Sequence, residues 1–194
     1  KYAPMAADQG VAFGIENHQD FTSQELVDFC LEAGPAVGIT FDTGNTFPVG
    51  EAPLDFARRI APLVRHVHLK DYRVQFTDDG YRLVRCAIGD GAVPFKGIAD
   101  ILSQHHAALT AVLEPGALEA RHIRFLKPEW WRGYAPSSAQ GLAAALAAAH
   151  VNRLADDADY RTPWERQADG ELADYELQMI RRSAENMRAI GLMD

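Results

Sequence analysis

Four short apolar segments alternate with helix-like segments in the first 116 residues of this chain. A potential metal ligand directly follows each apolar segment. The apolar segments are residues 11–15, 37–41, 64–67 and 109–113. The residues that follow them are Glu16, Asp42, His68 and Glu114. Strands joined by helices pair in parallel, so their carboxyl ends meet at one edge of a sheet or one mouth of a barrel. The pattern therefore predicts an α/β fold in which three carboxylates and one imidazole converge.

The helix between the first two predicted strands has recognisable ends. Thr22 and Glu25 have the spacing of a capping box, in which each side chain binds the backbone N–H of the other residue. Gly34 stands where the helix would end, because glycine readily adopts the backbone conformation of a C-terminal cap. Residues 54–63, which carry an apolar stripe, and residues 95–104 are predicted as the next two helices.

The third strand, predicted over residues 64–71, places two histidines and a lysine on one face. Alternate side chains of a strand point the same way, so His66, His68 and Lys70 share the face that looks inward in a barrel. His66 lies deeper than His68 and is interpreted as a residue that supports the site, not as a ligand. The sequence Thr77-Asp78-Asp79-Gly80 then predicts a β-hairpin.

The number of β/α units indicates half of a larger barrel. Only four units can be counted, whereas an eight-stranded barrel usually takes about 250 residues. We expect residues 1–125 to form the C-terminal half of a TIM-barrel domain, the N-terminal half being missing, cleaved or supplied by another chain. Residues 126–194 are expected to form a helical extension that packs on the barrel or on a partner, with helices over residues 138–156 and 164–190.

Composition narrows the classes of function. The formal net charge of −8 argues against a nucleic-acid partner, which needs a broad basic face. No apolar stretch approaches the ~20 residues needed to span a bilayer, so no membrane association is expected. The two cysteines, Cys30 and Cys86, are too few for a disulfide framework, and reduced thiols in a cytoplasmic protein are expected.

The predicted cluster has the chemistry of a divalent-metal site. Carboxylate oxygens suit hard ions such as Mg²⁺, and one imidazole shifts the preference towards Mn²⁺, Co²⁺ or Zn²⁺. Without a cation, three crowded carboxylates would repel one another and take up protons. One divalent metal ion is therefore predicted as the cofactor, with Mn²⁺ first and Mg²⁺, Co²⁺ and Zn²⁺ as alternatives.

Several short motifs occur in an order and at spacings similar to those of a known family. They are Gly14-Ile15-Glu16-Asn17-His18, Phe41-Asp42-Thr43-Gly44-Asn45, His66-Val67-His68-Leu69-Lys70-Asp71, Gly89-Asp90-Gly91 and Leu113-Glu114-Pro115. Together they resemble the second half of the sugar phosphate isomerase/epimerase family, within the xylose isomerase-like TIM barrel superfamily. Ketose 3-epimerases, hydroxypyruvate isomerase, inosose dehydratase and endonuclease IV belong to this superfamily. The resemblance implies a TIM (β/α)8-type barrel of which this chain carries about the last four β/α units.

The resemblance also implies roles for the clustered residues. Glu16, Asp42, His68 and Glu114 would bind one metal ion, as their counterparts do in the family. Glu16 and Glu114 would in addition act as the catalytic base and acid, in either order, on opposite faces of the substrate. The implied chemistry is proton transfer through a metal-chelated ene-diolate.

Four further residues are predicted to bind the substrate: His18, Asn45, Lys70 and Arg73. Asn45 stands where ketose 3-epimerases have a histidine, and Arg73 stands one position before the place of their arginine. Both departures argue against a ketohexose epimerase. Lys70 is explained equally well as a substrate ligand or as the ion-pair partner of Asp71 or a nearby carboxylate. Arg121 is a further candidate for contact with an anionic group.

These observations predict a metal-dependent isomerase or epimerase of a sugar or related polyol or hydroxy-carbonyl compound. A lyase on the same site, similar to inosose dehydratase or to C-glycoside-cleaving enzymes, is the main alternative. An AP-endonuclease-like nuclease and a non-catalytic subunit are two others. The expected partners are a small carbohydrate-like substrate and either further copies of this chain or a chain that supplies the N-terminal half of the barrel.

Overall fold

Six α-helices and seven strands occur in residues 2–193, which are the residues that the computed structural model describes. The helices are α1 (Ala3–Asp8), α2 (Ser23–Ala33), α3 (Pro53–Ile60), α4 (Phe95–Leu102), α5 (Ala139–Ala149) and α6 (Leu172–Ala189). The strands are β1 (Phe13–Glu16), β2 (Val37–Asp42), β3 (Val64–Leu69), β4 (Asp71–Thr77), β5 (Gly80–Cys86), β6 (Thr110–Leu113) and β7 (Arg121–Ile123). The order of these elements confirms the predicted alternation of strands and helices.

Four of the strands form a parallel sheet in the order β1-β2-β3-β6. Every residue of the central strand β2 is buried, which explains its continuous apolar sequence. Helices α2, α3 and α4 pack side by side, and the core joins Leu26, Phe56 and Ile98 of these helices to the strands. This arrangement of β/α units confirms the predicted α/β barrel architecture, with four parallel strands present.

The predicted start and end of α2 are confirmed. The Thr22 side chain accepts the backbone N–H of Glu25, and the Glu25 carboxylate accepts the backbone N–H of Thr22 at 2.8 Å. Gly34 caps the other end with a φ of 99°, in the left-handed region that favours glycine.

The second sheet is antiparallel, in the order β4-β5-β7. Asp78 and Asp79 form the two-residue loop between β4 and β5, so the predicted hairpin is confirmed. The strand expected over residues 64–71 is instead two strands, because the chain leaves the parallel sheet at Lys70 and β4 begins at Asp71. This break carries β4 out of the parallel sheet and into the hairpin.

Two helix boundaries in the C-terminal segment differ from the sequence prediction. The helix expected over residues 138–156 ends at Ala149, and Asn152 beyond it has a positive φ of 52°. The helix expected from Trp164 begins only at Leu172. Residues 162–167 form a separate turn that Thr162 caps and that ends at Gln167, whose φ is 58°. A left-handed backbone cannot continue a right-handed helix, and this stops both segments.

Residues 126–193 pack on the outer face of the antiparallel sheet and on the loops next to it. The backbone N–H of Leu154 donates to the Val74 carbonyl at 2.8 Å, and Asn152 Nδ2 donates to the Gly91 carbonyl at 2.8 Å. The backbone N–H of Ile88 donates to Ser183 Oγ on α6 at 2.9 Å. A domain boundary near residue 125 stays a prediction. Within residues 2–193, no helix combines the length and apolar character that crossing a bilayer requires.

Replacing two buried tyrosines with phenylalanine is expected to have different effects on the free energy of unfolding. The Tyr81 hydroxyl donates to the Phe47 carbonyl at 2.6 Å, whereas the buried Tyr72 hydroxyl has no hydrogen-bond partner among the described residues. Tyr81→Phe should lower the free energy of unfolding by about 1.5 kcal/mol because it leaves a buried carbonyl unpaired. Tyr72→Phe should leave it unchanged or raise it. Urea unfolding of both variants tests this, and equal losses would contradict it.

Candidate metal centre

The four residues predicted as ligands lie together at the carboxyl edge of the parallel sheet. Glu16 ends β1 and Asp42 ends β2, His68 lies beside Asp42 in register, and Glu114 follows β6 directly. One ligand atom from each of them lies within 4.8 Å of all the others. Opposite ligands in an octahedral Mg²⁺ site are about 4.2 Å apart, so a small contraction would suit a single ion.

Asp42 is the fixed point of the cluster. It is fully buried, and its carboxylate accepts hydrogen bonds from the backbone N–H of Gly44 at 3.0 Å and from Asn45 Nδ2 at 2.6 Å. Its own backbone is held by Asn17, whose amide pairs with both the N–H and the C=O of Asp42 at 2.8 and 2.9 Å. The carboxylate therefore has little freedom to turn away from the site.

The imidazole of His68 has an unsatisfied nitrogen that points into the cluster. Its Nδ1 lies 2.9 Å from Glu114 Oε1 and 3.3 Å from Glu16 Oε1. This buried nitrogen has no hydrogen-bond partner among the described residues, these two oxygens included. A nitrogen lone pair and carboxylate oxygens that face one point suit a shared cation, so these residues fit a divalent metal ion.

His66 lies beside His68 and contacts strand β6. Its ring packs edge-on against the His68 ring with 5.3 Å between the centroids, and its Nδ1 lies 2.6 Å from Thr110 Oγ1 on β6. These contacts help to hold the His68 ring in place.

Lys70 is part of the cluster, not a neighbour of it. The buried ammonium group forms an ion pair with Asp42, and its Nζ also lies 2.7 Å from Glu114 Oε2. Of the alternatives from the sequence, pairing with a nearby carboxylate is therefore observed. Asp71 instead accepts four backbone N–H groups, so pairing with Asp71 was wrong.

The pKa values of these groups reflect their crowding. Burial raises the pKa of Asp42, against the effect of Lys70 and the Gly44 N–H. Burial acts to lower the pKa of Lys70, but Asp42 and Glu114 outweigh it and keep this pKa above its ordinary value. Burial also opposes ionisation of Glu114, yet the bond and charge of Lys70 bring the pKa of that carboxyl below its usual range.

The remaining predicted substrate-binding residues have different positions. Asn45 is buried and bonds Asp42, so it positions a ligand. His18 is exposed at the mouth of the site, where its Nε2 lies 3.4 Å from Arg121 Nη2. Arg73 does not lie at the cluster. Its side chain projects from the face of β4 opposite to that of Tyr72, and its Nε donates to the Asn152 carbonyl at 3.2 Å. Alternation along β4 turns it outwards.

Two residues of the site are missing from the sequence predictions. Asn17 follows Glu16 in the first motif, and its position next to a ligand was the only available signal. Arg85 lies near Glu114, and its charge contributes to the lowered pKa of that carboxyl. Because Arg85 belongs to the hairpin, only the three-dimensional arrangement brings it to the strand ends.

The fold agrees with comparisons to known proteins. The family described as xylose isomerase-like TIM barrel matches residues 1–132. The chain is 34% identical over 92 residues to the uncharacterized protein YihM of Escherichia coli (strain K12). The aligned segment covers 47% of this chain and 28% of that protein. It is 27% identical over 121 residues to an inosose dehydratase of Clostridium botulinum (strain Alaska E43 / Type E3). That alignment covers 55% of this chain and 41% of that enzyme.

A solved structure supports the fold. It is a xylose isomerase-like TIM barrel protein from Mycobacterium smegmatis in complex with magnesium, with a TM-score of 0.51 and 16% identity. The likeness covers 76% of this chain and 48% of that one. The chain thus spans less than half the length of each of these relatives. Since the family match extends over more than half of the residues, the chain belongs to the xylose isomerase-like TIM barrel family.

Proposed function

We propose that this chain carries the metal-binding part of an enzyme that moves a proton next to a carbonyl group in a sugar or related polyol. The reaction would be an isomerisation or epimerisation. The observation that carries the proposal is the convergence of Glu16, Asp42, His68 and Glu114, with the unpaired His68 Nδ1 at its centre. Mn²⁺ is the proposed ion because the site combines carboxylates with one imidazole.

Glu16 and Glu114 are suited to the proton transfer. They come from β1 and β6, the two outer strands of the parallel sheet, and so reach the site from opposite sides. Their side chains are 38% and 32% exposed, whereas that of Asp42 is fully buried. A substrate can therefore reach the two glutamates but not Asp42. We assign to them the removal of a proton from one face of the substrate and its return to the other.

A bound divalent ion would polarise neighbouring carbonyl and hydroxyl oxygens and so make the C–H bond between them more acidic. Lys70 Nζ, beside Glu114 Oε2, supplies a positive charge where negative charge would develop on the substrate. Asn17 and Asn45 keep the Asp42 carboxylate in place while the glutamates act.

A lyase is the second candidate, and the likeness to inosose dehydratase favours it. It would use the same proton removal, followed by loss of water or of a sugar from the adjacent carbon. A nuclease is less well supported. The described residues contain a single group of three or more potential metal ligands, and the net charge of −8 does not suit a DNA backbone.

A further part of the proposal concerns the partner. Within residues 2–193, β1 and β6 each pair with one strand only, so both edges of the parallel sheet are open. Phe13 on β1 and Val112 on β6 are 43% and 45% exposed. We propose that further strands, from another segment or another chain, close the barrel against these edges.

Metal titration tests the proposal first. Calorimetry with Mn²⁺ should give one ion per chain, and Glu16→Gln should weaken its binding while the exposed Glu32→Gln should not. Substrate candidates are then incubated in D2O with the Mn²⁺-loaded protein. An isomerase should incorporate solvent deuterium without loss of water, whereas a lyase should release water or a sugar. No stoichiometric Mn²⁺ binding would remove the basis of both functions.

A further inference from the structure

Two arginines project from the inner face of the antiparallel sheet. Tyr72 lies opposite Arg85, and Leu83 lies opposite Arg121, so these four side chains point to the same side of the sheet. Leu83 is two residues from Arg85 on β5, which makes the two arginines diagonal neighbours. Diagonal neighbours in a sheet are about 7 to 8 Å apart, close enough for two long guanidinium groups to hold one anion.

This face of the sheet adjoins the metal centre. Arg85 Nη1 donates to the Pro115 carbonyl at 3.3 Å, directly after Glu114, and a Cβ atom at Gly116 would overlap the same guanidinium. The ring of Tyr72 packs against Gly44, two residues after Asp42. Arg121 reaches the mouth of the site at His18. Arg85 therefore lies beside the carboxyl end of β6 and Arg121 beside the residues that follow β1, both next to the metal centre.

Neither arginine has an acidic partner. Across residues 2–193, no carboxylate oxygen lies within 4.0 Å of either guanidinium, whereas Arg161 and Arg182 have such partners at 2.8 and 3.2 Å. The groups that Arg85 and Arg121 do contact are the Pro115 carbonyl, the His18 imidazole and the Gln19 amide, and none of them is a carboxylate. Both are only half-buried, so a ligand at the mouth can reach them.

The charge of the centre explains why unpaired arginines there point to a ligand. Asp42, Glu16 and Glu114 together carry three negative charges, which Lys70 and one divalent ion would neutralise. The two arginines then leave two positive charges beside a neutral centre. Two positive charges beside a neutral centre favour the binding of an anion there.

We infer that the substrate of the proposed reaction carries an oxyanion group, a carboxylate or a phosphate, which Arg85 and Arg121 bind. Each guanidinium can donate two parallel N–H bonds to such a group. The anion would hold the substrate by one end, with the reacting carbon directed towards Glu16 and Glu114. This inference rests on the proposed function and restricts its substrates to acidic ones.

Calorimetry of the Mn²⁺-loaded chain at low ionic strength tests the inference. The probes are sulfate in place of phosphate, acetate in place of a carboxylate, and acetamide as the neutral counterpart of acetate. Arg85→Gln and Arg121→Gln should each weaken binding of the preferred anion about tenfold, the effect of losing one charge-assisted pair. Arg181→Gln, at an exposed position on α6, is the matched control and should change nothing. Arg85→Lys and Arg121→Lys keep the charge and should lose less.

The outcomes separate this inference from the proposed function. Anion binding that is unchanged in Arg85→Gln and Arg121→Gln overturns the inference, and so does equal binding of acetate and acetamide. Either result leaves the proposed function standing if Mn²⁺ still binds. The ratio of sulfate to acetate affinity shows which oxyanion the two arginines prefer. If wild-type protein does not bind Mn²⁺, the proposed function fails, whatever the anion titrations give. Thermal melting of each variant excludes unfolding as the cause of a loss.

Discussion

Replacing Asp42 with Asn is expected to lower the affinity for Mn²⁺ by more than about 100-fold. Losing a residue that only hydrogen-bonds to a metal ligand already lowers the affinity about 10 to 100-fold, and loss of the ligand itself should cost more. The Asp42 carboxylate is fully buried and supplies one of the three negative charges of the centre. The amide that replaces it has no charge to offset the ion. Lys70 would keep its other partner, Glu114, so the substitution leaves no isolated buried cation.

A graded series makes this result specific. Asn45→Ala removes the hydrogen bond to the Asp42 carboxylate without removing a ligand, and it should weaken Mn²⁺ binding about 10 to 100-fold. Asp100→Asn removes an exposed carboxylate on α4 that pairs with Lys96, and it should leave the affinity unchanged. Calorimetric titration with Mn²⁺ measures the affinity of all three variants. If Asp42→Asn binds as tightly as the parent, the ion is not held by this cluster.

The ligand set was accessible from sequence because the fold repeats its spacing. Each β/α unit returns the chain to the same edge of the sheet, and 26 residues separate both Glu16 from Asp42 and Asp42 from His68. A polar residue directly after a buried strand must therefore lie at that edge. The capping box at Thr22 and the glycine at position 34 were accessible for a different reason, since both depend on local hydrogen bonds alone.

Other features depend on where strands break and how distant segments meet. A continuous strand over residues 64–71 was expected, but the break at Lys70 begins a new strand at Asp71. Arg73 therefore faces the C-terminal segment and not the site. Arg85 comes to Glu114 only because the hairpin folds back over the strand ends. Period-two alternation describes one strand well but does not locate the point at which a new strand begins.

Replacing Asp71 with Ala is expected to lower the free energy of unfolding by about 4 kcal/mol, because four backbone N–H groups, three of them in buried bonds, lose a charged acceptor at once. Its carboxylate accepts the backbone N–H groups of Tyr72, Gly89, Gly91 and Val93 at 2.8 to 3.1 Å. These bonds join the start of β4 to the glycine turn of residues 89–91. Because the whole fold of a typical protein is stable by only about 5 to 15 kcal/mol, this loss is at least about a quarter of the total.

Asp90, in the same turn, provides the matched control. Its carboxylate is partly exposed and pairs with Arg182 on the surface at 3.2 Å, so Asp90→Asn should cost about 1 kcal/mol or less. Urea unfolding of the two variants is compared at about pH 8. This pH is well above the pKa of Asp71, which burial raises to about 6 although the four N–H donors act to lower it. Asp71→Asn should fall close to Asp71→Ala, because its amide nitrogen would face N–H donors that a carboxylate oxygen satisfies. Equal, small losses at positions 71 and 90 would mean that the turn is held by its glycines and not by Asp71.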